Sequence, residues 1–238
     1  MLISTDEART INTDSRLACT LAAVAGALNT AAFEIVGFFS ANMTGNVSSL
    51  SDNLAKANLK SGALFLTVVL LFIVGSAFST AIINAGRRRG IRTIFAANIL
   101  IEALALIALG IVEMWCHPSY PGLVLIFSLS FLMGLQNAVV TRISNARVRT
   151  THVSGTATDI GIEVAMLFDV FRRKESPKDA PIYLERLGLH SSTLLAFFVG
   201  GIVGIWLSKL FSYVFLIVIG TGLLYLSLAT IFRKRHAQ

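Results

Sequence analysis

The sequence predicts an all-α, polytopic membrane protein with about six transmembrane helices in two inverted three-helix repeats. Hydrophobic residues make up 55% of the 238 residues, and the mean hydropathy is +0.73. The apolar runs reach about 20 residues, which a helix needs to cross the hydrocarbon core of a bilayer. Helices are expected because they satisfy every backbone N–H and C=O group inside lipid.

Six apolar segments have spanning length, and polar breaks or charged turns separate them. No polar stretch exceeds about 50 residues, so we expect a single transmembrane domain over residues 1–238 without a separate soluble domain. A charged cytoplasmic loop is expected at about residues 172–190. The predicted spans are residues 17–39, 63–85, 94–115, 123–140, 193–210 and 213–232.

Three short motifs of the first half recur in the same order in the second half. With three spans in each copy, the second repeat (about 121–232) enters the membrane upside down relative to the first (about 17–115). Transporters built in this way bind substrate between the halves. Chance similarity is the alternative, because the motifs are short. The pairs are Gly26-Ala-Leu-Asn29 with Gly134-Leu-Gln136-Asn137, Thr44-Gly45-Asn46 with Ser154-Gly155-Thr156, and Phe72-x-x-Gly75 with Phe197-x-x-Gly200.

The net charge of +7 is distributed unevenly across the predicted membrane. On the six-span topology, 17 of the 20 Lys and Arg residues fall on the side that carries both termini. An excess of Lys and Arg marks the cytoplasmic side, so both termini are expected to face the cytoplasm. The basic clusters are interpreted as topology anchors beside anionic lipid, not as a nucleic-acid site.

Two polar breaks interrupt the apolar pattern, at residues 40–46 and 150–156. Gly45 supplies backbone freedom and Asn46 tolerates left-handed conformations, so a helix is expected to stop or unwind there. Free N–H groups and hydroxyls at such breaks bind ions or solutes. The alternative is ordinary helix capping at the membrane surface by Thr, Ser and Asn.

Polar side chains inside the spans are the candidate site residues, because an unpartnered polar group in lipid costs several kcal/mol. Asn29 and Asn137 occupy matching positions, and a carboxamide that donates and accepts suits a neutral polar solute. Interhelical hydrogen bonding is the alternative for both. The predicted substrate-binding residues are Asn29, Asn42, Thr44, Gly45, Asn46, Gln136, Asn137, Ser154, Gly155 and Thr156.

Glu34 and Glu102 are the carboxylates expected deepest in the membrane, where a charge is a candidate for proton or cation coupling. Asn98 lies one turn before Glu102 and is expected to hydrogen-bond it. Gly75-x-x-x-Ser79 and Gly200-Gly201-x-x-Gly204 predict close helix packing instead. No enzyme motif, metal-ligand spacing or cofactor signature is evident, so neither catalysis nor a cofactor is expected.

These motifs together resemble the YoaK family of bacterial six-helix membrane proteins, and the resemblance covers nearly the whole chain. It rests on Met43-Thr44-Gly45-Asn46, Gly134-Leu135-Gln136-Asn137-Ala138, Thr150-Thr151-x-x-Ser154-Gly155-Thr156 and the paired Phe-x-x-Gly sites. Two positions depart from the family pattern: Asn29 stands where Asp is common, and Ser154-Gly155 replaces Thr-Gly. The first change removes a titratable group from that position. The resemblance implies a multi-pass protein of the bacterial inner membrane that exports a small metabolite.

The predicted function is therefore transport, in the export direction, of a small polar metabolite, either facilitated or proton-coupled. The alternative is a non-transporting membrane scaffold or regulatory subunit, in which the polar positions would be buried helix–helix bonds. The expected partners are the lipid bilayer and a small-molecule solute, and the short helices favour a homodimer. Nucleic acid is not an expected partner.

Overall fold

The computed structural model describes residue 2 and residues 11–116 and 121–235, and these residues form helices and no strand. A π-helical turn, Val112–Cys116, extends α4, and a short 3-10 turn, Pro177–Asp179, precedes α7. The helices are α1 (Ile11–Val36), α2 (Met43–Ala55), α3 (Leu59–Arg88), α4 (Ile94–Ile111), α5 (Pro121–Ile143), α6 (Val153–Phe171), α7 (Ala180–Phe211) and α8 (Val214–Arg235).

Six of these helices, namely α1, α3, α4, α5, α7 and α8, are long and apolar enough to cross a membrane, as predicted. The charged segment at residues 172–190 is a loop only in its first part, because α7 begins at Ala180. Pro181 explains this early start: the first turn of a helix accommodates proline, since the amide there needs no intrahelical partner. The fifth span is correspondingly longer than expected.

Burial separates the spans into an inner and an outer group. Between 50% and 61% of the most apolar stretch is buried in α1, α4 and α5, against 22–28% in α3, α7 and α8. The outer helices expose large apolar side chains, including Ile73, Phe198, Trp206 and Tyr225. A contiguous apolar surface of this kind is typical of a protein that faces lipid.

Helix directions follow from the contacts between helices. α1 runs parallel to α7, and α3 runs parallel to α5, because residue numbers rise together along each pair. α1 is antiparallel to α5, and α4 is antiparallel to α8. The parallel contacts are Ala23 with Gly200, Ala27 with Gly204, Ser76 with Gly134, and Asn84 with Arg142. The antiparallel contacts are Leu21 with Gln136, Val36 with Gly122, Gly110 with Ile217, and Ala103 with Gly220.

The two parallel pairs are held together by glycines packed against backbone. A Cβ atom on Gly26 would collide with the carbonyl oxygen of Phe197, and one on Gly134 with the carbonyl oxygen of Phe72. A Cβ on Gly75 would strike the Phe131 carbonyl in the same way. The predicted role of the small-residue motifs in close packing is confirmed.

The two polar breaks lead into short helices, α2 and α6, which pack on α3 and α7 respectively. The chain turns at Gly37 (φ +73°), whereas Gly45 lies in the first turn of α2. The expected bounds of both breaks are therefore wrong at their ends. α2 begins at Met43 and α6 at Val153, so Gly45 and the Ser154-Gly155-Thr156 motif lie in the first turns of helices.

The first break folds back along the helix that precedes it. The Ala41 amide donates to Oδ1 of Asn29 (2.8 Å), and Asn29 lies seven residues before the end of α1 at Val36. Seven helical residues span about 10 Å. α2 therefore begins roughly that far back along α1, well inside the length of the span.

Candidate functional site

A cavity of about 620 Å³ lies where the two breaks meet α1, α3, α5 and α7. Its walls combine apolar and polar groups, and no Asp or Glu is among the described residues that line it. The lining residues are Asn29, Ala41, Asn42, Met43, Thr44, Gly45, Ser48, Phe72, Asn137, Arg149, Thr151, His152, Val153, Ser154 and Phe197.

Six of the ten predicted site residues line this cavity, and they come from both halves of the chain. The structure therefore brings together residues that are far apart in sequence. The six are Asn29, Asn42, Thr44, Gly45, Asn137 and Ser154.

The two matched asparagines differ in their partners. Asn29 is 5% exposed, and its Oδ1 accepts the Ala41 amide, so its Nδ2 group has no acceptor among the described residues. Oδ1 of Asn137 is buried without a hydrogen-bond partner in the described part of the chain. Each carboxamide thus has hydrogen-bonding capacity that the described chain leaves unused beside the cavity.

In the first turn of α2 and of α6, a glycine leaves room for the side chain of the residue just before the helix. A Cβ on Gly45 would crowd the Asn42 carboxamide, and one on Gly155 would collide with the His152 ring. Asn42 caps α2 by accepting the Gly45 amide at Oδ1 (3.1 Å). His152 precedes α6 without a side-chain cap bond.

Two other predicted residues, Asn46 and Gln136, are buried away from the cavity. Nδ2 of Asn46 donates to the Phe39 carbonyl (2.9 Å), which closes the first break. Nε2 of Gln136 donates to the Leu21 carbonyl (3.2 Å) and links α5 to α1. Both contacts correspond to the packing alternative.

Gly155 and Thr156 line a smaller neighbouring cavity of about 260 Å³. Arg149 and His152 border both cavities, so the two are adjacent. Beside the smaller cavity, His190 Nδ1 lies 2.9 Å from Oε1 of the buried Glu163.

Neither predicted coupling glutamate lines the large cavity. Glu34 lies near the end of α1, is 42% exposed, and pairs with Lys209 (3.0 Å). Glu102 is fully buried on α4, and neither of its carboxylate oxygens has a partner among the described residues. The expected hydrogen bond from Asn98 is absent, because both polar side-chain atoms of Asn98 are also unpartnered there.

The residues that sequence reasoning missed are mainly the aromatic and basic groups of the cavity. Phe72 and Phe197 belong to the echoed Phe-x-x-Gly motifs, so the repeat was the signal that could have found them. In the sequence analysis Arg149 is only one of the 17 Lys and Arg residues on the side of the termini. No group of His, Cys, Asp or Glu among the described residues could hold a metal ion.

These features define a class: a polytopic helical membrane protein with a cavity lined by residues from both halves of its chain. The chain matches the family described as "Protein of unknown function (DUF1275)" over residues 17–230, and it belongs to that family. No curated protein and no solved structure matches it.

Proposed function

We propose that this protein moves a small polar metabolite across the membrane through the cavity between its halves. One observation carries the proposal: residues of both polar breaks and both matched asparagines line the same cavity of about 620 Å³. Sites for small molecules measure roughly 300–1,000 Å³, with a few polar groups set in apolar walls. Irregular backbone at membrane depth is tolerated where it lines a cavity.

The proposal includes an inverted repeat. Under it, α1 corresponds to α5 and α3 to α7, so corresponding helices should run in opposite directions. The antiparallel contact of α1 with α5 supports this relation. The packing of two glycines supports it too. Gly26 and Gly134 correspond in the repeat, as do Phe197 and Phe72. Gly26 packs against the Phe197 carbonyl and Gly134 against the Phe72 carbonyl.

The proposal keeps the export direction, the bacterial inner membrane, the cytoplasmic termini and a homodimer as its finer parts. The basic run Arg87–Arg89 at the end of α3 supports the cytoplasmic termini, and the resemblance to the YoaK family supports export and the bacterial inner membrane. Proton coupling would use Glu34 or Glu102 acting at a distance from the cavity, and no enzymatic step is included.

Cysteine labelling separates transport from the scaffold alternative. In a Cys19→Ala/Cys116→Ala background, Thr44→Cys and Ser154→Cys should react in membrane vesicles with a small hydrophilic thiol reagent. Ser79→Cys on α3, a fully buried position, is the control and should stay unreactive. A transported solute should slow labelling at both cavity positions.

The scaffold alternative predicts a different pattern. If Thr44→Cys and Ser154→Cys are as unreactive as Ser79→Cys, the cavity has no aqueous access and the transport proposal fails.

A further inference from the structure

The two helices that begin at the cavity differ in how far their first amides are satisfied. On α2, the Met43 amide donates to the Ala41 carbonyl (3.1 Å) and the Gly45 amide to Asn42 Oδ1. On α6, the amides of Val153, Ser154 and Gly155 have no acceptor among the described residues. The first turn of α6 therefore presents unused donors and the positive end of its dipole.

Arg149 adds a full positive charge to the same wall. It is exposed, borders the cavity, and makes no ion pair with any described residue. No carboxylate is among the described lining residues of the large cavity, and the acidic group of the smaller cavity, Asp159, does not pair with Arg149. The charge is thus available to a solute.

A third donor, independent of α6, comes from α1. Asn29 is nine-tenths buried, and the Ala41 amide already occupies its Oδ1. This bond identifies Nδ2 as the remaining polar atom of a side chain that lines the cavity. This Nδ2 group can donate a hydrogen bond to a ligand that carries an acceptor.

We propose that the cavity selects small anions, carboxylates or phosphates, whose charged group lies between Arg149 and the first turn of α6. This inference rests on the proposed function and specifies its substrate class. Arginine binds carboxylate and phosphate through paired N–H groups, and a helix N-terminus binds the same ions through its amides. The neutral solute that the two carboxamides suggested is thereby replaced by an anionic one.

The first test measures the sign of the potential in the cavity without knowledge of the natural solute. Thr44→Cys, in the background without Cys19 and Cys116, is labelled with thiosulfonate reagents carrying either a sulfonate or a trimethylammonium group. Each rate is divided by the rate of the same reagent with 2-mercaptoethanol. The anionic reagent should react faster, and Arg149→Gln should lower the anion-to-cation ratio by about tenfold.

Two matched variants show whether Arg149 itself causes the effect. Arg142→Gln removes an equal charge from the end of α5, where the side chain bonds Asn84 outside the cavity, and should leave the ratio unchanged. Arg149→Lys keeps the charge and should preserve most of the ratio, although it loses the paired N–H geometry.

The second test uses solutes of similar size as labelling blockers: propionate, propionamide and inorganic phosphate. Propionate or phosphate should slow the labelling of Thr44→Cys at a concentration at least tenfold below that required for propionamide. Block by propionate alone assigns the site to carboxylates, and block by phosphate alone assigns it to phosphates. Arg149→Gln should abolish the difference between acid and amide.

The outcomes separate the two proposals. Equal rates for the two reagents, a faster cationic reagent, or equal block by propionamide would overturn the anion proposal and leave the transport proposal standing. Absence of labelling by either reagent would overturn both proposals.

Discussion

The two breaks share a backbone plan but differ in chemistry. In the structure the first break consists of the non-helical residues 37–42 and is neutral. It is internally bonded: the Ala41 amide donates to Asn29 Oδ1, the Gly45 amide to Asn42 Oδ1, and Asn46 Nδ2 to the Phe39 carbonyl. The second, at residues 144–152, is also internally bonded, because the Ser144 hydroxyl donates to the Val140 carbonyl and accepts the Val148 amide. It differs in containing Arg147, Arg149 and His152 and in leading into a helix without a side-chain cap. Under the two proposals, the halves share a scaffold and the second half supplies the charge that contacts the solute.

The shared scaffold is tested by the most disruptive substitutions. Gly26→Leu and Gly134→Leu should each prevent correct folding, because the new side chain meets a backbone carbonyl that cannot move aside. We expect a loss of about 3 kcal/mol or more, at the upper end of overpacking effects. The yield of monodisperse protein and its melting temperature in detergent measure this loss.

The control for this pair is Gly222→Leu, since a Cβ there meets nothing within 4 Å. It should behave like the wild type. Tolerance of leucine at only one of the two packed glycines would show that the halves are not equivalent.

The asparagines should separate stability from function. Asn29→Ala leaves the buried Ala41 amide without its partner and should cost about 1–3 kcal/mol of folding free energy. Asn137→Ala removes no hydrogen bond recorded between described residues and should cost less than about 1 kcal/mol. Thermal unfolding in detergent compares the two variants.

Asn29→Asp sharpens this comparison, because it keeps an acceptor for the Ala41 amide while removing the Nδ2 donor and adding a negative charge. It should retain more stability than Asn29→Ala and lose anion binding. Equal destabilisation by Asn29→Ala and Asn137→Ala would remove the proposed difference between the halves.

Removing the residue that precedes each short helix should also destabilise the first half more than the second, by a smaller amount. Asn42→Ala removes the cap of α2 and should lower stability by about 1 kcal/mol. His152→Ala removes no cap bond from α6 and should change stability by less than about 0.5 kcal/mol. A larger loss for His152→Ala would indicate that the second break is as structural as the first.

The smallest effect is expected at the exposed ion pair. Glu34→Gln breaks the contact with Lys209, but both side chains are more than a third exposed, so stability should change by about 0–1 kcal/mol. The same variant distinguishes the two proposed coupling groups. A dependence of solute flux on a pH gradient that persists in Glu34→Gln would leave Glu102 as the coupling group, and its loss would assign that role to Glu34.

The spans and the approximate positions of both breaks could be predicted because hydropathy, length and turn residues are local properties of the sequence. The sequence pattern could not predict which of two neighbouring side chains points into the cavity and which points toward another helix. Gln136 and Asn137 are adjacent on α5, and adjacent residues of a helix point about 100° apart. One therefore reaches α1 and the other the cavity, which a motif written as Gln-Asn does not reveal.

Arg149 illustrates a second limit. Charge counting placed it among the residues of a cytoplasmic loop, since the count uses only position along the chain. The fold returns this segment to the cavity wall, opposite residues of the first break. Its relevance depends on a long-range arrangement that no local pattern encodes.

The central claim is that solute crosses through the cavity between the halves. Uptake of radiolabelled propionate, phosphate and the neutral propionamide into proteoliposomes tests it, with Ser154→Trp to fill the cavity and Val74→Trp, on the exposed face of α3, as the matched control. The account predicts uptake above that of empty liposomes by the wild type and Val74→Trp, and none by Ser154→Trp. Uptake that persists in Ser154→Trp, or a wild type no faster than empty liposomes, would contradict it.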